Sequence, residues 1–373
     1  LGAIATCWDY VQYLMLLNKL KNRRDKLERF FNSYALDAIL FTSLLNIRYL
    51  CGFSGSEGAL LLTREAGWFM CDSRYTTQAS VEVGAVDIRQ FTVKLDAVAG
   101  LIAEMNFSRV GFEASHTTVS DFRTLSGKLA RSELVAIEGE VDQIRSCKDM
   151  DELDRLKEVA SLASTSLINV LPLLKPGVSE VEFARELEFE MRRRGAEGRA
   201  FDFIVASGER GAMPHGRASE KKIRSGELVT IDFGAVRHGY HSDETVTVAV
   251  GQPDDRSREI YGIVKGAHDT AIAAVRPGMT CRELDTMARE FIRGHGYGDF
   301  FGHGLGHGVG LEIHEKPVLS PRSETIIEKG MVFTIEPGIY IPGFGGVRIE
   351  DTVVVTSDGC QLLTQVPKEL MIV

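Results

Sequence analysis

Several common classes of protein are excluded by what this sequence lacks. Across 373 residues there is no excess of positive charge: 43 Lys and Arg stand against 52 Asp and Glu, a formal charge of −9. Such a chain has no electrostatic reason to hold nucleic acid or an anionic membrane. The six cysteines, Cys7, Cys51, Cys71, Cys147, Cys281 and Cys360, are scattered and form no CxxC pair. That argues against a zinc ribbon or a dense disulfide frame and for reduced, largely buried thiols in the cytoplasm. No uncharged apolar run approaches the ~20 residues a membrane span needs. The nearest stretch, LGAIATCWDYVQYLMLL at 1–17, is interrupted by Asp9 and has no basic region ahead of it, so it reads neither as a span nor as a secretory signal. The basic cluster Lys19, Lys21, Arg23, Arg24 and Lys26 follows it, and the chain does not begin with Met. Residues 1–18 are therefore expected to be a non-native or disordered extension. Low-complexity segments are also missing.

What is present is a globular composition, 44% hydrophobic and 25% charged, in a chain long enough for two domains. Residues 19–145 alternate short strand and helix patterns. An amphipathic helix is predicted over Lys19–Tyr34, with Leu20, Leu27, Phe30 and Phe31 on one face, and buried strands at Asp37–Thr42, Ala59–Thr63 and Trp68–Cys71. This half reads as a small α/β domain. After IRSCKD at 144–149 the pattern changes to long helices, over Asp149–Leu174, from Ser179 to Arg194, over Asp255–Val275 and over Thr280–Arg293. Ser179 with Glu182, and Thr280 with Glu283, have capping-box spacing. LLKPGVSEVE at 173–182 and AVRPGMTCRE at 274–283 form a weak internal repeat, which suggests that residues 146–373 are a duplicated unit of two helices plus strands.

The residues with chemistry lie on the strands that follow each copy. In LVTIDFGAVRHGYHSDETVTVAV at 228–250, Val229, Ile231 and Phe233 alternate, which turns Asp232 to the opposite face. After a turn at AVRHG, Asp243, Thr245 and Thr247 alternate against Val246, Val248 and Val250. A hairpin of this length brings Asp232 and Asp243 to one face, opposite or diagonal to each other. Two carboxylates that close repel unless a proton or a cation lies between them. Glu336 ends a second apolar strand, MVFTIEPGIY, and Arg348 and Glu350 share a face of the next. FFGHGLGHGVGLEIHE at 300–315 holds His303, His307 and His314 among five glycines. Those glycines disfavour a helix, and the segment lacks the lysine of a phosphate loop. A flexible backbone that lets side chains crowd a centre fits it better. Asp232, Asp243, Glu336 and Glu350 together carry about −4, which two divalent cations balance. Oxygen-rich ligands with one imidazole favour Mn²⁺, with Co²⁺, Fe²⁺ or Zn²⁺ as alternatives. Two such ions can activate a bridging water and polarise a carbonyl.

Asp232 in IDFG, Asp243 in YHSDET, His307 in HGLGHGVG, Glu336 in IEPG and Glu350 in RIED resemble the metal set of the pita-bread (M24) metallopeptidases, a family that includes methionine aminopeptidase, aminopeptidase P and prolidase. NIRYLCGFSGSEGALLLT and DSRYTTQA in the first half resemble the creatinase-type N-terminal domain of its proline-specific branch. The resemblance implies an α+β fold in which a smaller α/β domain (19–145) precedes a pita-bread catalytic domain (146–373). It implies hydrolysis of the Xaa-Pro bond at peptide N-termini by a homodimer, through a water shared by two metal ions. Asp232 would bind one metal, His307 and Glu336 the other, and Asp243 and Glu350 both. His215, in MPHG, would line the substrate pocket. His303 and His314 would contact substrate and stabilise the tetrahedral intermediate, Glu336 would also shuttle the proton, and Arg348 would orient the bridging carboxylates. One departure stands out: relatives often carry Arg where this chain has Val246, on the face away from Asp243. The alternatives are a methionine aminopeptidase-like enzyme, which typically lacks the first domain, a metal-free creatinase-like hydrolase, and a non-catalytic pita-bread module that binds proteins. The last two usually lose ligands that are intact here.

Overall fold

The computed structural model describes residues 18–139 and 141–373, so the expected extension lies, apart from Asn18, outside the described residues. The chain divides into two units between Ile144 and Arg145. Strands AILF, ALLL and GWFMC are apolar on both faces, and that composition makes them central. They form β1 (Ala38–Phe41), β2 (Ala59–Leu62) and β3 (Gly67–Cys71), buried throughout. With β4 (Asp87–Gln90), β5 (Arg109–Glu113) and β6 (Glu133–Ile137) they make one sheet, ordered β4-β3-β2-β1-β5-β6. The β1–β2 and β2–β3 pairs are antiparallel and the others parallel. Helices α1 (Glu28–Ser33), α2 (Leu44–Cys51), α3 (Thr76–Glu82), α4 (Lys94–Glu104) and α5 (Val119–Lys128) complete the unit. The expected helix over Lys19–Tyr34 is broken: residues 18–25 are helical, 26–27 turn, and α1 resumes at Glu28. Leu20, Leu27, Phe30 and Phe31 are nevertheless all buried. The apolar spacing reports the buried face, and the turn does not disturb it.

The second unit begins with α6 (Met150–Val170) and α7 (Glu180–Arg193), which pack together, as do α8 (Asp255–Ala274) and α9 (Cys281–Gly294). Capping boxes start α6 at Asp149, α7 at Ser179 and α9 at Thr280. Each satisfies two N–H groups that a helix start leaves without partners. The repeat is visible in the backbone. Gly177 and Gly278 are both left-handed, with φ of 94° and 93°, a conformation that glycine adopts without strain. Their N–H groups donate to the carbonyls of Ile223 and Ile327 at 2.8 and 2.9 Å, so each Pro-Gly turn ties its helix pair to the segment that leads into the next strand.

Those strands fall into four small sheets. One is β8 (Ile204–Ser207), β9 (Leu228–Phe233) and β12 (Glu244–Ala249), ordered β12-β9-β8. The second joins β7 (Gly198–Arg199), β10 (Ala235–Arg237) and β11 (Tyr240–His241). The third runs β14-β13-β15-β18-β19, from β13 (Gly306–Gly308), β14 (Glu315–Leu319), β15 (Val332–Ile335), β18 (Asp351–Val355) and β19 (Cys360–Leu362). The fourth is the hairpin of β16 (Gly338–Ile341) and β17 (Gly345–Arg348). Apolar residues of α8, α9, β15, β17 and β18 form the core beneath. Among the described residues no helix is long and apolar enough to cross a membrane.

Candidate metal centre

The alternation in β9 and β12 sets the first two acids. Asp232 pairs in register with Thr245, and Asp243 lies two residues before Thr245, so the two carboxylates are diagonal neighbours on one face. The reversal between them is tighter than AVRHG suggests. Ala235–Arg237 is itself a strand, and the chain turns at His238-Gly239, whose φ angles are 51° and 70°. Glu336 follows β15 directly, where Pro337 ends the strand. Glu350 lies between β17 and β18. Arg348 and Glu350 are 3% and 2% exposed, which rules out a solvated strand face.

These elements converge on His307, at the centre of β13. Its Nε2 lies 3.5 Å from Asp243 Oδ2 and 3.5 Å from Glu336 Oε1. Its Nδ1 is 3.0 Å from the Gly308 carbonyl, which fixes the proton there and leaves the Nε2 lone pair facing the acids. Asp243, His307 and Glu350 each present a ligand atom within 4.8 Å of the others. Asp232 accepts from Arg348 Nη2 at 2.7 Å through Oδ2. Its Oδ1 is buried with no hydrogen-bond partner among the described residues. Thr245 Oγ1 donates to Glu350 Oε2 at 2.7 Å and Thr334 Oγ1 to Glu336 Oε1 at 3.3 Å.

Burial, with repulsion from Glu350, Asp232 and Glu336, pushes Asp243 far above the carboxylate range. Burial and the charges of Glu336 and Asp232 do the same to Glu350, and burial raises Glu336 to about 8. Burial also holds His307 neutral, down to about 4. Crowded acids, a neutral imidazole and an orphaned oxygen form a donor set that divalent cations satisfy, and they are costly to bury otherwise.

The other histidines differ from one another. His215 and His314 are exposed and line the cleft beside the acids. The His314 ring stands edge-on to His307 at 4.2 Å. His303 also borders the cleft, but its Nδ1 meets the Gly304 carbonyl at 2.8 Å and its Nε2 meets Tyr340 Oη at 2.9 Å. Tyr340 Oη in turn accepts from Arg348 Nη1 at 2.9 Å. Burial pushes the Tyr340 hydroxyl up to about 12, so it keeps its proton and donates a hydrogen bond to His303. Arg348 touches Asp232 directly but reaches Glu350 only through Thr245, to whose Oγ1 its Nε donates at 3.2 Å.

Tyr340, Thr245 and Thr334 escape a reading based on charge and imidazole, because neutral hydroxyls are common in any strand. A signal for Tyr340 does exist in the neighbouring glycines. A Cβ on Gly338 would stand 2.4 Å from its hydroxyl, and one on Gly346, its cross-strand partner, 3.0 Å from its ring. The glycines around His307 are likewise a matter of space rather than slack. A Cβ on Gly306 would lie 2.0 Å from the Thr334 carbonyl oxygen, and one on Gly308 2.3 Å from that of Lys316. Neither glycine is left-handed.

The acids open on a cleft of about 600 Å³, with Phe201, Ile204, Ile313 and Val318 on its apolar side. That volume suits a small peptide rather than a folded protein. Acids and imidazole gathered on strands that follow duplicated helix pairs are the mark of the pita-bread metallohydrolases. Comparison with known proteins narrows the class. Residues 154–357 match the Metallopeptidase family M24 and residues 23–147 the Creatinase/Prolidase N-terminal domain; the chain belongs to metallopeptidase family M24 and is a metal-dependent peptidase. It is 39% identical over 356 residues to the Xaa-Pro dipeptidase of Pyrococcus furiosus, covering 94% of this chain and 100% of the relative. Among solved structures it is similar to the Xaa-Pro dipeptidase from Bacillus anthracis, with a TM-score of 0.92 at 43% identity, covering 95% of this chain and 100% of that one. The X-Pro aminopeptidase from Thermotoga maritima superposes with a TM-score of 0.86 at 37% identity, covering 91% and 98%.

Proposed function

We propose that this peptidase hydrolyses the Xaa-Pro bond at the N-terminus of short peptides, using two divalent cations, with Mn²⁺ the ion it takes in the cytoplasm. The observation that carries the reading is the convergence of Asp232, Asp243, His307, Glu336 and Glu350 at a peptide-sized cleft that His215, His303 and His314 also border. Relatives named for Xaa-Pro cleavage, matched over almost their whole length, support the choice of bond. The creatinase-type first domain weighs against methionine aminopeptidase.

In this reading Asp232 would help to hold one cation and His307 and Glu336 the other, with Asp243 and Glu350 contributing to both. When bound, the cations supply Lewis acidity toward the scissile carbonyl and a water acidified for attack. Glu336 receives the proton of the attacking water and delivers it to the proline nitrogen as the C–N bond breaks, a task open to a carboxylate that borders the cleft beside the other acids. His215 and His314, open to the cleft, donate to the substrate where charge develops on the carbonyl oxygen. Arg348 keeps Asp232 in place and, through Pro214, whose carbonyl it binds at 3.2 Å, the segment that carries His215. The active species is a homodimer.

The test is to compare a Xaa-Pro dipeptide with a Xaa-Pro-Yaa tripeptide, with Mn²⁺ and after chelation. Turnover of either that disappears on metal removal supports the reading, and the ratio of the two rates separates dipeptidase from aminopeptidase. Cleavage of Met-Ala peptides with no turnover of Xaa-Pro would refute it.

A further inference from the structure

The strands that follow Asp243 and Glu350 are fastened together, on the side away from the cleft, by a lysine near the end of the chain. β12 opens with Glu244 and β18 with Asp351, so each of the two acids is followed by a second acid that faces the other way. Both second acids are buried, at 1% and 2% exposure, and so is Lys368, at 8%. Lys368 Nζ lies 2.6 Å from Glu244 Oε1 and 3.3 Å from Asp351 Oδ1. Neither acid is free to swing. Glu244 also accepts from Ser164 Oγ at 2.5 Å and from the Val366 N–H at 2.9 Å. Asp351 accepts from Thr364 Oγ1 at 2.5 Å, and His268 Nε2 lies 3.1 Å from its second oxygen.

The same two strand ends also meet beside the candidate ligands themselves. The Glu350 N–H donates to the Thr245 carbonyl at 3.1 Å, and Thr352 Oγ1 donates to the Asp243 carbonyl at 2.7 Å. Asp243 and Glu350 come from different sheets, so no shared ladder sets their separation. Stability alone is a poor reason for the lysine, because apolar residues of similar volume often replace a buried ion pair without loss. What it adds is a fixed offset between two strand ends, each one peptide bond from a candidate ligand.

We infer that Lys368 is a positioning residue for cation binding: by clamping Glu244 and Asp351 from behind, it sets the separation of Asp243 and Glu350. The inference rests on reading those two acids as shared ligands. It is tested on the full-length, metal-stripped protein with Mn²⁺ alone as the probe, by titration calorimetry well below the unfolding temperature. Lys368→Met is expected to weaken Mn²⁺ binding by roughly 10–100-fold, the usual effect of removing a partner that orients a ligand. Lys368→Arg is expected to recover most of it. Folded Lys368→Met protein with wild-type Mn²⁺ affinity would overturn the inference. If Lys368→Met does not fold, Glu244→Met decides, since it removes the oxygen that Lys368 binds and leaves that lysine the carboxylate of Asp351. Weaker Mn²⁺ uptake in that variant supports the clamp and unchanged uptake overturns it. Wild-type protein that takes up no Mn²⁺ would overturn the site reading and the clamp together. Uptake by wild type with unchanged variants overturns the clamp alone.

Discussion

His303, His307 and His314 lie within one short segment but meet different surroundings, and their substitutions should differ accordingly. His307 has its Nδ1 anchored and its Nε2 against two acids. His307→Ala is expected to lose Mn²⁺ and activity together. His303→Ala and His314→Ala should keep Mn²⁺, measured by metal analysis of the purified protein, and lose turnover. Equal metal loss in all three would refute the division. Tyr340 bridges Arg348 and His303, and its hydroxyl is its only polar contribution. Tyr340→Phe should lower kcat/KM by roughly 10–100-fold with an unchanged circular dichroism spectrum; wild-type kcat/KM would show the bridge to be idle.

At the scale of elements, the capping boxes at Ser179 and Thr280 could be read from the sequence because a cap involves residues three apart. The shared face of Asp232 and Asp243 was legible for a similar reason, because strand period and loop length nearly determine it, while the choice between opposite and diagonal placement was settled by the register. The purpose of the glycines was not legible. Composition admits either a slack backbone or a crowded one, and only the neighbouring strand distinguishes them. A Cβ on Gly302 would meet nothing within 4 Å, whereas one on Gly306 would run into the Thr334 carbonyl. Gly302→Ala should therefore leave stability nearly unchanged, and Gly306→Ala should cost at least about 1–3 kcal/mol, as overpacking does. Urea unfolding of the two variants, compared directly, checks this. Equal costs would favour a need for flexibility over a need for space.

For the whole molecule, the buried charges make stability depend on pH and on metal. Glu336, raised to about 8 from an ordinary 4.5, binds its proton more tightly in the folded chain than in the unfolded one. Its contribution is full below about pH 4.5 and is lost as the pH rises through about 8. His303 and His307, lowered to about 4 from 6.5, behave in the opposite sense. Their contribution is full above about pH 6.5 and is lost as the pH falls through about 4. Asp243 and Glu350 act in the same sense as Glu336, so the metal-free protein should weaken as the pH rises through neutrality toward about 8. Saturating Mn²⁺ should raise the melting temperature most on the alkaline side, where the carboxylates are ionised ligands. Thermal melts across pH, with and without Mn²⁺, check this. A metal effect independent of pH would refute it.

The sequence by itself determined the five candidate ligands, the order of the elements around them and the family, because motifs, strand period and helix caps are local and survive without neighbours in space. Only the tertiary structure decided what stands behind those ligands. Tyr340 joins Arg348 to His303 across a hairpin, and Lys368 reaches Glu244 across 124 residues of chain. Nothing local marks such partners: a lysine near the end of a chain is usually solvated, and it becomes a clamp only when two sheets bring their acids to it.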